Sequence, residues 1–499
     1  MPVASNAQET SSDIVGTVSS DAGGPVAGAT ITIRSNTTGL TRSTTTSASG
    51  EYTLRNLPVG TQSYTMTVRR DGFTPERRDG LSINLGSTTT ENFTLVNEAA
   101  MEEIVTFGTQ QAVAQVAVGP NASFGLDALE NAPAINRNIT DVLRADPRIY
   151  VDESRGDINA VQCAGKNSRY NSLTVDGVRM NDAFGLNSNG YPTERMPFSY
   201  DAISQVSVEL APFDVIYGGF SACNINAVTK SGSNDFYGGA FYDYTSDSLR
   251  GDKLEGDKIT SGSYDEQRYG ITLGGPIIQD KLFFFVAAEK LDGANLFSRG
   301  PIGSGAIDEV GVTQADLDEI VRIANEVYQY DPGNIPTSLD HSDEKLLVKL
   351  DWNISDSQRL AFTYNWNDGE NFSQSDSGTR NIEFSNHIYE RGAELTSYVG
   401  TLYSDWTDRF STELRLGYLE LDNRQLSIGG TDFGEMRIER VGPGGVNVYI
   451  GGDDSRQSNK LKYDVTTLAL RGMYDLDNHA LTFGYELESL NVFNLFIQH

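Results

Sequence analysis

From residue 236 onward the chain alternates. Leu360, Phe362, Tyr364 and Trp366 are interleaved with Arg359, Ala361, Thr363 and Asn365, the period-two signature of a strand with one apolar and one polar face. The same alternation recurs at Leu346, Val348, Leu350 and Trp352, at Leu414, Leu416 and Tyr418, and at Leu481, Phe483, Tyr485 and Leu487. A soluble sandwich also alternates, but its strands are usually shorter. Runs of about ten residues with Trp or Tyr near their ends suit a lipid-facing wall with aromatic girdles, greasy outside and wet inside. Gly-, Asn- and Asp-bearing loops join the runs. The longest covers 292–341, and within it Val321, Ile323 and Val327 mark a helical segment over 314–330. Such loops are the expected ligand-meeting surface.

Ahead of this region the pattern is different. Residues 13–96 hold short β-rich runs at 14–18, 30–34, 50–54, 63–69 and 89–95, separated by Gly, Pro, Asn and Asp turns at the spacing of a small β-sandwich. Tyr64, Met66 and Val68 alternate with Thr65, Thr67 and Arg69, so one set faces a core. Residues 97–111 then read as a linker. Its β-forming run Glu103, Ile104, Val105, Thr106 and Phe107 is flanked by residues with no obvious strand partner. An unpaired strand of this kind suits β-augmentation, in which a partner adds it to a sheet edge; it reads equally as an ordinary strand of a neighbouring unit. Residues 112–235 form a Gly-rich α+β segment. Ile139, Val142 and Leu143 lie at helical spacing behind the capping types Asn136 and Asn138, and the run stops at Pro147.

Composition narrows the classes. The chain has 499 residues, a formal charge of −30, 50 Gly, 23 Tyr and 22 Phe. No apolar run approaches the roughly 18 residues of a spanning helix, whereas barrel strands escape such a scan. The negative charge argues against nucleic acid, whose phosphates it would repel. Val3 to Ala7 reads as the tail of a secretory signal with Ser5 and Ala7 before the cut, so 1–12 is assigned to that remnant and the mature start. Cys163 and Cys223, the two cysteines, are either a disulfide pair of an exported protein or two buried thiols.

No catalytic centre, cofactor loop or metal-ligand set is expected. His341 with Glu344 matches the H-x-x-E spacing of zinc carboxypeptidases, but a metal site needs a third ligand, and short matches of this kind are common by chance. Nucleotide loops, nucleophile elbows and Cys-x-x-Cys pairs are not seen in the sequence.

Two resemblances carry the functional reading. GPVAGATITI, ASGEYTLRNLPVGTQSYTMTV and DGF in 13–96 resemble the carboxypeptidase regulatory-like domain, a carbohydrate-binding-like fold in which Gly50 and Gly60 would make turns and Tyr52, Leu54 and Leu57 would pack inside. The resemblance implies an accessory module without peptidase activity. SRYNSLTVDGVRMND, AISQVSVEL and IYGGFSACNINAVTKSG resemble the plug of TonB-dependent outer-membrane receptors, with Val175, Asp176 and Gly177 as the turn motif and Gly218, Gly219 and Gly232 at tight bends or close approaches. Leu210, Ala211 and Pro212 stand where family members often carry Arg-Gly-Pro. The order of sandwich, plug and barrel is similar to the Oar-like subgroup.

The resemblance implies a mainly β chain: an N-terminal β-sandwich at 13–96, a linker at 97–111, a small α+β plug at 112–235, and part of a large antiparallel transmembrane β-barrel at 236–499. It implies location in the outer membrane of a Gram-negative bacterium with the sandwich and plug facing the periplasm. It makes 103–107 the TonB box gripped by the periplasmic TonB protein. The other partners would be outer-membrane lipid and an extracellular ligand such as a glycan, a peptide or a metal chelate. Residues 236–499 hold about nine or ten strands where plugged transporters have about 22, so a chain shortened at its C-terminus, or a smaller barrel, is expected. Two other functions stay open: a non-transporting adhesin or secretion factor, and a soluble sugar-binding protein.

Overall fold

The structure, a computed structural model, describes residues 10–98, 115–116 and 121–496, apart from 60–62, 135, 153–159, 186, 188–189, 213, 250, 252, 259–262, 377, 454–458 and 477–478. The first unit is a sandwich of two sheets. One runs Glu51–Pro58, Ser11–Ser20, Thr88–Thr90 and Gln115–Val116, with Phe93–Leu95 also on Ser11–Ser20; the other runs Thr41–Thr45, Thr30–Ser35, Tyr64–Arg69 and Glu76–Leu81. Alternation fills the space between them. Tyr64, Met66 and Val68 face inward beside Ile14, Ile31, Ile33, Tyr52, Leu54 and Leu57 in one dry cluster. Gly50 takes φ +79° at a turn, a conformation that favours glycine; Gly60 lies outside the described residues.

Gln115–Val116 belongs to the sandwich by pairing, and the plug's own sheet starts at Asn121–Phe124. That sheet continues through Ile203–Leu210, Cys223–Thr229, Ser172–Val175 and Val178–Arg179. Its third and fourth strands are parallel. The short helix Ile139–Leu143 begins where the Asn138 side chain accepts the Thr140 N–H, and it buries Ile139, Val142 and Leu143 in the plug core. Cys163 and Cys223 are joined as a disulfide across a sequence separation of 60. Closing a loop of that length stabilises a fold by about 4 kcal/mol in the chain-entropy account.

From Tyr237 the chain forms a nine-stranded meander: Tyr237–Ser246, Asp265–Ile278, Leu282–Leu296, Ser338–Ser355, Gln358–Ser373, Tyr389–Thr407, Phe410–Ser427, Lys460–Leu476 and His479–Leu495, each antiparallel to the next. Tight turns lie at one end and long loops at the other, the asymmetry of an outer-membrane barrel. The faces separate by polarity. Arg359, Thr363, Asn365 and Asn367 are buried on the inner side while Trp352, Phe362, Tyr398, Leu416 and Tyr418 are exposed on the other. The stretch from Trp352 back to Leu346, which pairs with Trp366, covers about 20 Å at the strand rise. Beyond it the outer face turns ionic, with Lys290 and Glu344 paired at 2.9 Å. An apolar band bounded by aromatic residues and then by ion pairs is what a hydrocarbon layer requires.

The helix in the long loop covers Gln314–Tyr328 and opens with a capping box between Thr313 and Asp316. Its inward face is Leu317, Ile320 and Ala324, with Ile323 and Val327 exposed. The helix expected over 314–330 is thus present, and its buried stripe follows the 317, 320, 324 spacing, with the β-branched residues at 323 and 327 outside it. The strands also extend further than expected, to Leu296 and from Ser338.

Candidate functional site

The centre of the molecule is the seat of the plug in the barrel. Val175 and Val178 pair across a two-residue turn in which Asp176 (φ +46°) and Gly177 (φ +79°) are both left-handed, the hairpin geometry that an Asp-Gly dipeptide favours. The turn carries the motif's carboxylate into the wall. Asp176 accepts the Thr229 N–H at 3.0 Å, the Thr229 hydroxyl at 2.7 Å and the hydroxyl of barrel residue Thr363 at 2.7 Å. Lys349, from the neighbouring strand, stands 3.6 Å away and also donates to the Thr229 carbonyl at 3.2 Å. A buried carboxylate needs such a shell, because ionised groups away from water are costly unless paired and hydrogen-bonded.

Gly177 meets a second barrel cation. Arg415 is fully buried, donates Nη1 to the Gly177 carbonyl at 3.1 Å and Nη2 to Glu413 at 2.5 Å. A Cβ at Gly177 would fall 2.1 Å from that guanidinium, so close approach and positive φ both require glycine there. Gly219 (φ +72°) is in the same position toward Arg179, whose guanidinium a Cβ would meet at 1.8 Å; Arg179 in turn reaches Glu488 of the last strand at 3.7 Å. Gly218 precedes it without a left-handed φ among the described backbone angles. Gly232 passes a barrel strand so closely that a Cβ would sit 2.4 Å from the Phe284 carbonyl. Ala211, where the family pattern has glycine, is left-handed at φ +53°, a mild strain for an L residue.

The seat continues upward. Ser199 donates to Glu289 (2.8 Å), Asn365 to the Pro197 carbonyl (2.9 Å), and Arg391 to Glu194 (2.7 Å). An apolar patch from Ala393, Leu395, Leu419, Leu421, Leu461 and Tyr463 joins the plug core. His341 is buried in the bore, 3.0 Å from Arg195, whereas Glu344 is on the outer face with Lys290. Residues three apart on a strand point to opposite sides, so the H-x-x-E pair has no shared ligand position.

At the long-loop end, the described residues of 297–337, 374–388 and 428–459 fold together. Val310, Val312, Leu317, Ile320, Ile382, Phe384, Val446, Val448 and Ile450 share one core, around a sheet of Asn381–Glu383, Val446–Ile450 and Met436–Val441. A cavity of about 700 Å³ opens beside it, lined by Leu296, Pro301, Ile307, Leu317, Val321 and Phe384 among others, a size suited to a small ligand.

At the tight-turn end the sandwich docks under the barrel. Arg42 pairs with Asp405 at 3.0 Å, Asn56 donates to the same carboxylate at 2.9 Å, Thr45 donates to Asp408 at 2.9 Å, and Arg55 pairs with Asp475. Toward the plug, Gln205 accepts the Leu85 N–H at 3.2 Å and Asn121 donates to the Gly86 carbonyl at 2.7 Å. Burial at this junction pushes Asp13 up to about 6 and Glu209 up to about 7.

A corked wall with a lipid band, an outward loop cluster and a docked inner sandwich is the architecture of a plugged outer-membrane β-barrel. Residues 13–96 match the Carboxypeptidase regulatory-like domain, 114–223 the TonB-dependent Receptor Plug Domain, and 228–296 an Outer membrane beta barrel domain. The TonB-dependent transporter Oar of Myxococcus xanthus is 29% identical over 291 residues, 55% of this chain and 26% of that protein. The outer membrane transporter YddB of Escherichia coli superposes with a TM-score of 0.54 at 14% identity, over 74% of this chain and 48% of that one. The siderophore receptor PirA of Acinetobacter baumannii gives a TM-score of 0.48 at 17% identity, over 73% and 47%. The chain thus spans about a quarter of the curated relative and about half of the solved structures. These similarities support an Oar-like TonB-dependent receptor in the outer membrane with its plug toward the periplasm.

Glu103, Ile104, Val105, Thr106 and Phe107 lie outside the described residues. Sequence reasoning found the Asp176 turn but missed Lys349, Thr363 and Arg415, which read there as ordinary polar positions of alternating strands. Their inward register was the available signal.

Proposed function

We propose that this chain captures a scarce extracellular ligand at its outer loops and imports it when the periplasmic TonB protein, driven by the inner-membrane proton gradient, pulls on 103–107. The single supporting observation is the seat: buried but polar contacts from Asp176, Gly177 and Ser199 to the wall can be exchanged for water, so this part of the seat can be undone and remade as the plug shifts. The cavity beside Phe384 is the proposed first contact for a small ligand, whether glycan, peptide or metal chelate. Binding, release and plug movement need no covalent chemistry, so we read the chain as a receptor and not an enzyme.

Deleting Glu103–Phe107 in the full-length gene tests this. Growth on a panel of iron chelates, glycans and peptides is expected to identify one substrate whose uptake is lost on deletion while its binding to whole cells persists. Unchanged uptake of every substrate that requires the gene would refute the proposal. A non-transporting adhesin is the second reading, supported by the self-contained core of the outer loops; there, adhesion would survive the deletion and no uptake phenotype would appear.

A further inference from the structure

Two outer loops bring together residues far apart in the sequence. Asp376 and His387 come from 374–388, Glu435 and Asp453 from 428–459, and their ligand atoms all lie within 4.8 Å of one another. Four ligands of a tetrahedral ion at about 2.0 to 2.2 Å lie about 3.4 Å from one another, so a shared ion draws this set together by up to about 1.4 Å. His387 is fully buried and Asp453 nearly so, while Asp376 is partly open to solvent, leaving a path for entry.

The imidazole's hydrogen bonds make the case more specific. One nitrogen, Nδ1, is 3.0 Å from the Gly451 carbonyl, and the other, Nε2, is 2.9 Å from Asp376 Oδ2. A carbonyl only accepts, so Nδ1 carries the hydrogen. In the neutral ring Nε2 then turns a lone pair toward a carboxylate lone pair, which requires a positive charge between them. A hydrogen bond from Nδ1–H to a backbone carbonyl is also the usual way a ligating histidine is oriented. A proton on Nε2 would leave three carboxylates against one imidazolium. A dication would serve the imidazole and the carboxylates together.

A further group points the same way. Glu383 is 2% exposed and accepts the Asp376 N–H at 2.9 Å, which ties its carboxyl to the same loop. His387 and Asp376 are the charged groups that act on it. Arg437, near the ring of Tyr449, is paired with Glu439 at 3.3 Å. Three carboxylates gathered on one imidazole call for a cation.

We propose that Asp376, His387, Glu435 and Asp453 form a site for one divalent cation of the zinc class, which staples the 374–388 loop to the 428–459 loop on the outer face. The imidazole selects a borderline metal over calcium or magnesium, which prefer all-oxygen shells. Each loop supplies two ligands, so the ion acts as a cross-link between loops that the sheet pairs Asn381↔Asn447 and Glu383↔Tyr449 already bring into register. The site is independent of import.

The test is calorimetric titration of the untagged, metal-stripped full chain in detergent with Zn2+, Mn2+ or Ca2+ alone, for the wild type, His387→Ala and the near-isosteric Asp453→Asn. One zinc per chain is expected, with zinc bound more tightly than manganese and manganese more tightly than calcium. His387→Ala should weaken zinc by about 100-fold and Asp453→Asn by about 10-fold, and zinc should slow proteolysis of the 428–459 loop in the wild type alone. Equal zinc binding by all three proteins, no binding by the wild type, or a preference for calcium would each overturn the assignment. A metal-free melting temperature for Asp453→Asn equal to that of the wild type keeps loss of binding distinct from loss of fold.

Discussion

The two ends of the barrel are held by different forces. At the outer end three loops bury a shared apolar core around Leu317, Phe384 and Val448. At the inner end the sandwich, itself a dry apolar body, meets the barrel turns through Arg42, Asn56 and Thr45 on the carboxylates of Asp405 and Asp408. Burying apolar surface ties the outer loops into one unit that opens only at large cost. Polar contacts exchange with water at small net cost. The outer end is thus built as one preformed unit, and the inner end as a joint that can be undone and remade.

Phe384→Ala should test the contrast most severely. Removing a 2%-exposed aromatic side chain from the outer core should cost about 3 to 5 kcal/mol and sharply raise protease cleavage of 297–337, with the sandwich left in place. Unchanged cleavage would mean the loops do not fold as a unit.

The pH dependence of the inner joint comes next. Burial raises Glu209 from 4.5 to about 7, so the folded state holds a proton that the unfolded chain releases; stability is greatest below about pH 4.5 and falls as pH rises to about 7. Glu209→Gln should therefore stabilise the plug at pH 8, by on the order of 3 kcal/mol, and make little difference at pH 4. Melting curves at the two pH values read this directly, and equal shifts at both would contradict it.

Asp405→Ala strips the buried Arg42 guanidinium of its partner and should loosen the sandwich by about 2 kcal/mol, less than a fully buried pair because the carboxylate is partly exposed. Hydrogen exchange at Thr41–Thr45 should speed up while exchange in the outer loops stays constant. Thr45→Val, which removes one exposed hydrogen bond to Asp408, should shift stability by less than about 1 kcal/mol. A larger effect there than at Asp405 would reverse the ranking of the joint's contacts.

What could be read from the sequence follows from the range of the interactions. The wall was legible because alternation is local: Phe362 outward and Thr363 inward need no more than a period of two. The turn at Asp176 and Gly177 was legible for the same reason. Its partners were not. Lys349, Thr363 and Arg415 reach the turn from far along the chain, and a basic residue on the polar face of a strand looks the same whether it meets water or a buried carbonyl. The loop helix was legible in place, expected over 314–330 and found at Gln314–Tyr328, while its buried face is fixed by the surrounding loops. Asp376, His387, Glu435 and Asp453 carried no motif spacing at all, because two loops far apart in the sequence bring them together. The docking of Arg42 and Arg55 was equally invisible, since nothing local distinguishes a joint from a solvated surface.

The disulfide sets a mechanical stop. Tension applied ahead of the plug would draw out the chain only as far as Cys163, because the bond to Cys223 passes the load directly to the strand beside Asp176 and shields the enclosed loop. Residues 112–162 can pay out roughly 170 Å at full extension; beyond that length the force acts on the seat itself. In a single-molecule pull, the oxidised protein should show a contour-length limit near that value, and the reduced protein should lengthen past it.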